Sequence, residues 1–526
     1  MKDISILDCT LRDGGYCNKW NFGKEGIEQI IESLNDAGIE IVECGFISDK
    51  VQYDPDKSKY PTMEAACHTL PENRKQTTYV AMINYGEYDV SDIPEHAEGK
   101  TLDGLRIAFH KKNLLPALKM CRAIKAKGYK VFVQAMVSKS YSDEEFLELI
   151  EKINKLEPFA FYIVDSFGNM RGDELIRFYS LAENNLNQSI RIGFHSHNNM
   201  QLAFSNAIAL ADMPSSHDII IDSTIYGMGR GAGNLNTEIF AEYLGRRIGK
   251  EYELPPLLKA MDLVINKFYL INPWGYSLPN YLSAVNDAHP NYAGFFSDKS
   301  SLTVEAMDEI FRMMDPVKKL EFDKRYAEEI YLRYMESGKH SVNSRKELES
   351  TVRGHTVLLI GPGRSSATQK DSIIDFAKSD TITVSVNFGY PHLDTDYIFV
   401  SNMRRFNRLS AEERKRAIVT SNIISDEVYM RTDYKELLND EESVSDNAGM
   451  MAVKLFSMLG AARIVLAGFD GYSYNQEENY ADSRMEIITK KAILESRNEG
   501  MAKILGEYSK KVKIEFLTQP LHYKVE

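Results

Sequence analysis

The sequence predicts an α/β protein built as a (β/α)8 TIM barrel with a helical appendix, followed by a separate Rossmann-like α/β domain. Three observations lead there. Eight short β-branched runs alternate with helical stretches between residue 3 and about residue 248. Strand signals then stop, and helix follows helix to about residue 345. Near Thr356 a new pattern of strands and turns begins and continues to the end. The expected units are therefore 1–250, 251–345 and 351–526.

The eight runs are Ile4–Asp8, Ile39–Cys44, Thr78–Ile83, Gly104–Phe109, Lys130–Met136, Ala160–Asp165, Arg191–His195 and Asp218–Ser223. Between them lie stretches of helical period such as Gly26–Ala37 and Asp143–Leu156. Eight β–α alternations in about 250 residues suit a closed parallel barrel. An open doubly wound sheet, which uses fewer strands, is the alternative at this point. The appendix comprises Pro256–Tyr269, Pro279–Ala288, Val304–Met314 and Asp323–Glu336, and the polar stretch 340–350 reads as a linker. Beyond it, TVLLIGPGRS from Thr356 is a strand entering a Gly/Pro turn. ITVSVNF and YIFVS read as further strands, Asp446–Leu459 as a helix, and Ala462–Gly468 and Val512–Leu517 as the last strands.

Composition narrows the function. Of 526 residues, 43% are hydrophobic and 26% charged, the balance of a globular chain with a substantial core. A net charge of -13 argues against a general nucleic-acid or membrane-surface binder, though it permits a local basic pocket. The opening MKDISILDCT has no signal-peptide core, and no apolar run reaches membrane-span length. Cys9, Cys17, Cys44, Cys67 and Cys121 form no CxxC pair, so a reducing cytoplasm is expected. No thiol lies beyond Cys121.

In a barrel of this kind, chemistry belongs at the C-terminal ends of the strands. Those ends carry Asp8, Arg12 and Asp13; Glu43; Asp165 and Ser166; and His195 and His197. His195 and His197 stand two apart, on one face of an extended segment. Two imidazoles with the Asp13 carboxylate can hold a metal and leave positions open for a chelating substrate. The competing reading makes HSHNN the polar start of the next helix. Arg12 beside Asp13 can grip a carboxylate or steady a developing enolate, or it can be a surface ion pair of little worth. Gly14 and Gly15 permit a tight turn there.

DCTLRDGG, VDSFGNM, GFHSHNNMQLA and DSTIYGMGRGAGNLNTE together resemble the DRE-TIM metallolyases, a family of 2-oxo-acid aldolases, acyl-CoA lyases and condensing synthases. Within it the likeness is nearest to the 4-hydroxy-2-oxovalerate aldolases. The resemblance implies a divalent metal, Mn²⁺ or Mg²⁺ first and Zn²⁺ or Co²⁺ as alternatives. It implies Asp13, His195 and His197 as ligands, with Asn234 completing or supporting the set. It further implies Arg12 as enolate stabiliser and Ser166 as a contact for the 2-oxo acid. NYAG at Asn291–Gly294 resembles a segment whose tyrosine closes over the substrate, which makes Tyr292 a candidate.

There are departures. Tyr16 stands where the aldolases carry a histidine, so Tyr16 is either the acid/base or a wall of the aldehyde pocket. Gly15 and Tyr16 replace the Glu-Gln pair of the synthase branch, which counts against acyl-CoA condensation. The loop Gly227–Asn234 lacks the cysteine of the CoA lyases. The expected partners are a small 2-oxo acid and an aldehyde, with a homo-oligomeric assembly. A non-catalytic barrel serving the second domain is the rival from another class.

The C-terminal domain carries GPGRSS at Gly361–Ser366, two glycines of an incomplete GxGxxG, so a plain turn competes with a nucleotide site. With SDNAGMM and ARIVLAGFDGYS, it resembles Rossmann-type 6-hydroxymethylpterin diphosphokinase-like proteins and bacterial sialyltransferases. That likeness implies a nucleotide or nucleotide-activated metabolite near Gly361, Gly363, Asn387 and Asp470. A fused acylating dehydrogenase is rejected, because it needs a nucleophilic cysteine.

Overall fold

The computed structural model describes residues 2–299, 301–337, 345–486, 489 and 491–525. The stretch read as a linker lies outside the described residues as far as position 344. The chain divides into two compact units, Met1–Gly294 with Asp315–Phe322, and Phe295–Met314 with Asp323–Glu526. The helices expected to form one appendix are thus shared between the two. Those up to residue 294 belong with the first unit, and Val304–Met313 and Lys324–Met335 belong with the second.

The first unit is an eight-stranded parallel barrel. Its strands are β1 (Ile4–Asp8), β2 (Ile41–Ile47), β3 (Thr78–Asn84), β4 (Gly104–Phe109), β5 (Lys130–Ala135), β6 (Ala160–Asp165), β7 (Arg191–Ser196) and β8 (Ile219–Ser223). Each pairs in parallel with the next, and β1 closes the ring by pairing with both β2 and β8. A two-residue strand, Lys59–Tyr60, is appended to β2. The open-sheet alternative is thereby excluded.

Alternation along each strand sorts side chains into two layers. Ile4 and Ile6, Val42 and Cys44, Leu105 and Ile107, and Ile219 and Ile221 pack outward with the helices. Leu7, Ile41, Val80, Phe132, Tyr162 and Ile220 fill the barrel interior. One residue pair further along their strands, the inward positions change character. Glu43, Arg106, His195 and Asp222 occupy them, all buried. Gly193 makes room for this arrangement, since a Cβ there would lie 2.4 Å from the Tyr162 ring. The barrel floor is therefore apolar and its C-terminal layer charged.

The second unit contains a seven-stranded parallel sheet: β9 (Thr356–Ile360), β10 (Thr381–Val386), β11 (Tyr397–Val400), β12 (Ala417–Thr420), β13 (Met430–Thr432), β14 (Arg463–Ala467) and β15 (Lys513–Phe516). The spatial order is β13-β12-β11-β10-β9-β14-β15, so the winding reverses at β9. The helix Lys491–Ser509, not anticipated from the sequence, precedes β15. No helix among the described residues is long and apolar enough to cross a membrane.

Candidate metal centre

Directly after β1 the backbone enters a single π-helical turn, Thr10–Gly14, which carries Arg12 and Asp13. Such wide turns re-aim side chains and often lie at functional sites. The Asp13 and Arg12 N–H groups both donate to the Cys9 carbonyl, at 2.8 and 3.1 Å. The Trp20 indole donates to the Arg12 carbonyl at 2.8 Å. A side chain at Gly15 would put its Cβ 2.1 Å from that indole, so the second glycine of RDGG is required by packing.

The turn delivers Asp13 to the two histidines at the end of β7. The Asp13 Oδ2 lies 3.4 Å from Nε2 of His195 and 3.7 Å from Nε2 of His197. The imidazole rings stand perpendicular, 5.1 Å between centroids. One carboxylate oxygen and two imidazole nitrogens thus lie within 4.8 Å of one another, all buried. Both Asp13 oxygens, Nδ1 of His197 and Oδ1 of Asn234 are buried without a hydrogen-bond partner. Buried polar atoms are rarely left so, and a cation fits this donor set. Asn234 is held there by a backbone bridge to His197.

A second set, Cys9, His195 and Asp222, also comes close enough to ligate. It fits a cation less well. Burial pushes the Cys9 thiol well above its usual range, and its Sγ–H faces the Ser223 carbonyl at 3.4 Å. Asp222 is already committed: it meets Nδ1 of His195 at 2.9 Å and accepts from Arg106. That contact fixes the His195 ring and leaves Nε2 toward Asp13, as carboxylates behind metal-binding histidines do.

A continuous ion network lies beneath. Arg106, fully buried, reaches Glu43 at 3.0 Å as well as Asp222, and its guanidinium stacks 4.9 Å from the Tyr162 centroid. Glu43 also accepts from Nε of Arg12 at 2.8 Å, and Arg12 lies 3.3 Å from Asp13. Burial opposes the Asp13 charge, but Arg12, His197 and His195 outweigh it and hold the carboxyl well below its usual pKa. Burial likewise opposes a charged His195, yet Asp13 and Asp222 raise its pKa. For His197 burial outweighs the pull of Asp13, and lowers the pKa to about 3.

The other candidates fare differently. Ser166 Oγ accepts from the Val137 N–H at 2.9 Å, pinning a β-branched residue at φ 56°, where strain is expected. Tyr16 is 41% exposed and packs against Trp20 and Phe46. Burial of its hydroxyl end raises its pKa above 10, despite the opposing pull of Arg230. Tyr292 does not join the cluster. Its ring is fully buried against Phe322, and its hydroxyl meets the carbonyls of Lys318 and Glu321 at 2.9 and 3.1 Å. From that segment it is His289 that reaches the site, 3.3 Å from Arg230. Asp8 and Asp165, both raised to about 6 by burial, serve turns: Asp8 accepts from the Thr10 N–H, and Asp165 from those of Asn169 and Met170.

Sequence reasoning gave no role to Arg106, Asp222, Arg230 or His289. The first two could have been found from parity, because both take inward positions on their strands.

In the second unit, Gly361, Gly363 and Asp470 come together at the ends of β9 and β14. The glycines permit close backbone approach: a Cβ at either would lie 2.5 Å from the Gly468 carbonyl. Asp470 accepts from the Ser365 N–H at 2.7 Å and from its hydroxyl. Asn387, at φ 67°, directly follows β10.

Comparison with known proteins places these observations in company. Residues 110–264 match the HMGL-like family. The chain is 28% identical over 268 residues to a 4-hydroxy-2-oxovalerate aldolase of Geobacillus genomosp. 3, covering 50% of this chain and 77% of that one. It is also 28% identical over 267 residues to one of Pelotomaculum thermopropionicum, with 49% and 75% covered. Among solved structures, the N-terminal domain of a proposed aldolase from Bacteroides vulgatus aligns with TM-score 0.49 at 27% identity, covering 59% of this chain and all of that one.

Proposed function

We propose that the barrel is a divalent-metal-dependent carbon–carbon lyase that cleaves, or forms in reverse, a 4-hydroxy-2-oxo acid. The observation that carries this reading is the buried Asp13, His195 and His197 cluster, in which both Asp13 oxygens lack a hydrogen-bond partner, beside the charged Arg12. The aldolase relatives, matched over about three-quarters of their length, support it. Asp13, His195 and His197 would hold the ion and Asn234 would support it. Mn²⁺ or Mg²⁺ suits a mixed oxygen and imidazole set, with Zn²⁺ or Co²⁺ as alternatives. When bound, the ion supplies Lewis-acid polarisation of the 2-oxo group.

The chain's own residues do the rest. Ser166 lines the 2-oxo-acid side. In cleavage the 4-hydroxyl proton passes to solvent water, the C3–C4 electron pair moves onto the 2-oxo half as an enolate, and the C4 half departs as an aldehyde. Arg12 stabilises the charge that develops on the enolate oxygen, where a fixed cation is most effective. Its own charge is held by Glu43 and Asp13. Protonation at C3 then releases the 2-oxo acid. In the carbon–carbon-forming direction Tyr16, as a neutral phenol, donates its proton to the aldehyde oxygen that becomes the 4-hydroxyl. The absence of the Glu-Gln pair after Gly14 favours this over acyl-CoA condensation.

The test is exchange of the pyruvate C3 protons, followed by NMR with added Mn²⁺, and mass-spectrometric detection of aldol products from an aldehyde panel. No exchange under any of the four metals would remove the reading. Arg12→Lys keeps charge but loses the planar fork. We expect kcat to fall on the order of 10²-fold, by analogy with loss of an oxyanion donor, and exchange to fall in parallel, with a smaller change in KM. A rise in KM alone would instead make Arg12 a carboxylate binder.

For the second unit, one observation favours nucleotide binding. Gly361, Asn387 and Asp470 follow β9, β10 and β14, the strands around which the sheet order reverses, and open parallel sheets bind ligands at such a crevice. This Rossmann-like reading predicts that calorimetric titration of the full chain with CMP and other nucleotides shows binding that NAD does not. Binding of NAD alone, or silence from all of them, would exclude it.

A further inference from the structure

Three arginines lie in or above the charged layer of the barrel, and they differ in one respect. Arg12 faces Glu43 and Asp13, and Arg106 faces Glu43 and Asp222. Arg230 has no carboxylate within 4 Å among the described residues. Its Nη1 lies 3.3 Å from Nε2 of His289, and its Nη2 3.4 Å from the Ser166 carbonyl. Its Cζ sits 5.4 Å from the Tyr16 ring centroid. Its Nε is buried and has no hydrogen-bond partner. A half-buried cation whose neighbours are a carbonyl, a phenol and an imidazole is short of one negative charge.

The loop that carries it is fixed. Gly231 and Gly233 adopt φ 68° and 85°, and a Cβ on Gly233 would lie 2.0 Å from the Gly227 carbonyl. Asn199 accepts from the Ala232 N–H at 2.8 Å and donates to the Phe167 carbonyl at 2.9 Å. Arg230 is thus presented from a rigid turn, the condition under which a guanidinium selects a ligand by charge. Burial, and then the Arg230 charge itself, hold His289 down at about 2, so His289 adds no second positive charge.

We propose that Arg230 binds an anionic group on the aldehyde half of the substrate, so that the 4-hydroxy-2-oxo acid carries a second acid group, a carboxylate or a phosphate. The inference rests on the aldolase reading above. Arg12 already serves the 2-oxo half, beside Asp13; Arg230 stands against Tyr16, the residue assigned to the C4 oxygen. A neutral aldehyde would leave the guanidinium desolvated and unpaired, which is what makes the discrimination strong.

The experiment uses the full chain with Mn²⁺ and pyruvate, and compares succinic semialdehyde with butanal, four-carbon aldehydes that differ in the distal carboxylate. We expect kcat/KM to favour succinic semialdehyde by about 10²-fold, the worth of a charge-assisted hydrogen bond. In Arg230→Gln the ratio collapses toward unity, and in Arg230→Lys part of it returns. Thermal melts check that both variants fold. Pyruvate C3 exchange in wild type, with both aldehydes used equally well, would overturn the inference and leave the aldolase standing. A higher KM for pyruvate in Arg230→Gln with an unchanged aldehyde ratio would also overturn it, by assigning Arg230 to the 2-oxo half. Absence of exchange in wild type would remove both.

Discussion

His195→Ala and His197→Ala are each expected to lose bound divalent metal and all measurable turnover while the barrel stays folded. Both imidazoles are buried, and neither is part of the apolar packing that holds the strands. Removing one takes away a ligand and leaves Asp13 with one imidazole fewer at 3.4 or 3.7 Å. Asp13→Asn is expected to act alike, since a neutral amide is a poorer ligand for a hard cation. Elemental analysis after loading with Mn²⁺ and exhaustive dialysis gives the metal content, and far-UV circular dichroism the fold. Full activity in a chelator-stripped sample with no detectable metal would contradict the expectation.

Arg106→Met is expected to be the most destabilising single change in the barrel. The guanidinium is fully buried and is the shared partner of Glu43 and Asp222. Burial alone would discourage its charge, but Asp222 and Glu43 more than compensate and raise its pKa. Without it, buried Glu43 keeps only Arg12 and buried Asp222 only His195 as a charged partner. Breaking such a set costs about 3–5 kcal/mol, most of it from the charges left behind. Urea unfolding should show this loss, and adding Glu43→Gln should restore part of it. A loss below about 1 kcal/mol, the worth of an exposed pair, would mean that water or a proton already neutralises the layer.

The barrel was legible because its strands are buried on both faces and so read as continuous β-branched runs. Seven of the eight predicted strands agree with the structure at both ends to within one residue, and only β2 shifts further, from Ile39–Cys44 to Ile41–Ile47. Asp13, His195 and His197 were legible for a related reason: each lies at or beyond the C-terminal end of a strand, where the fold wants polar groups. Arg106 was hidden because one charge inside GLRIAF looks like a strand edge until inward and outward positions are separated. Arg230 and His289 come from segments 59 residues apart, and only the tertiary structure brings them together. Tyr292 was misplaced because a motif fixes a residue's neighbours in sequence but not which face of its helix is covered. In the second unit, β12 and β13 span four and three residues, too short for alternation to register.

The way the ring closes bears on how the chain folds as it is made. β1 has two residue pairings with β2, but five with β8, whose residues lie about 215 positions later. At synthesis rates of ~5–20 residues per second, β1 waits roughly 10–40 s for its main partner. Contacts so distant in sequence carry the largest closure cost and form late. Asp13 follows the waiting strand, whereas His195, His197 and Asn234 flank the late one. Nascent chains released before about residue 240 should therefore be unable to trap a cation, however complete their first seven strands.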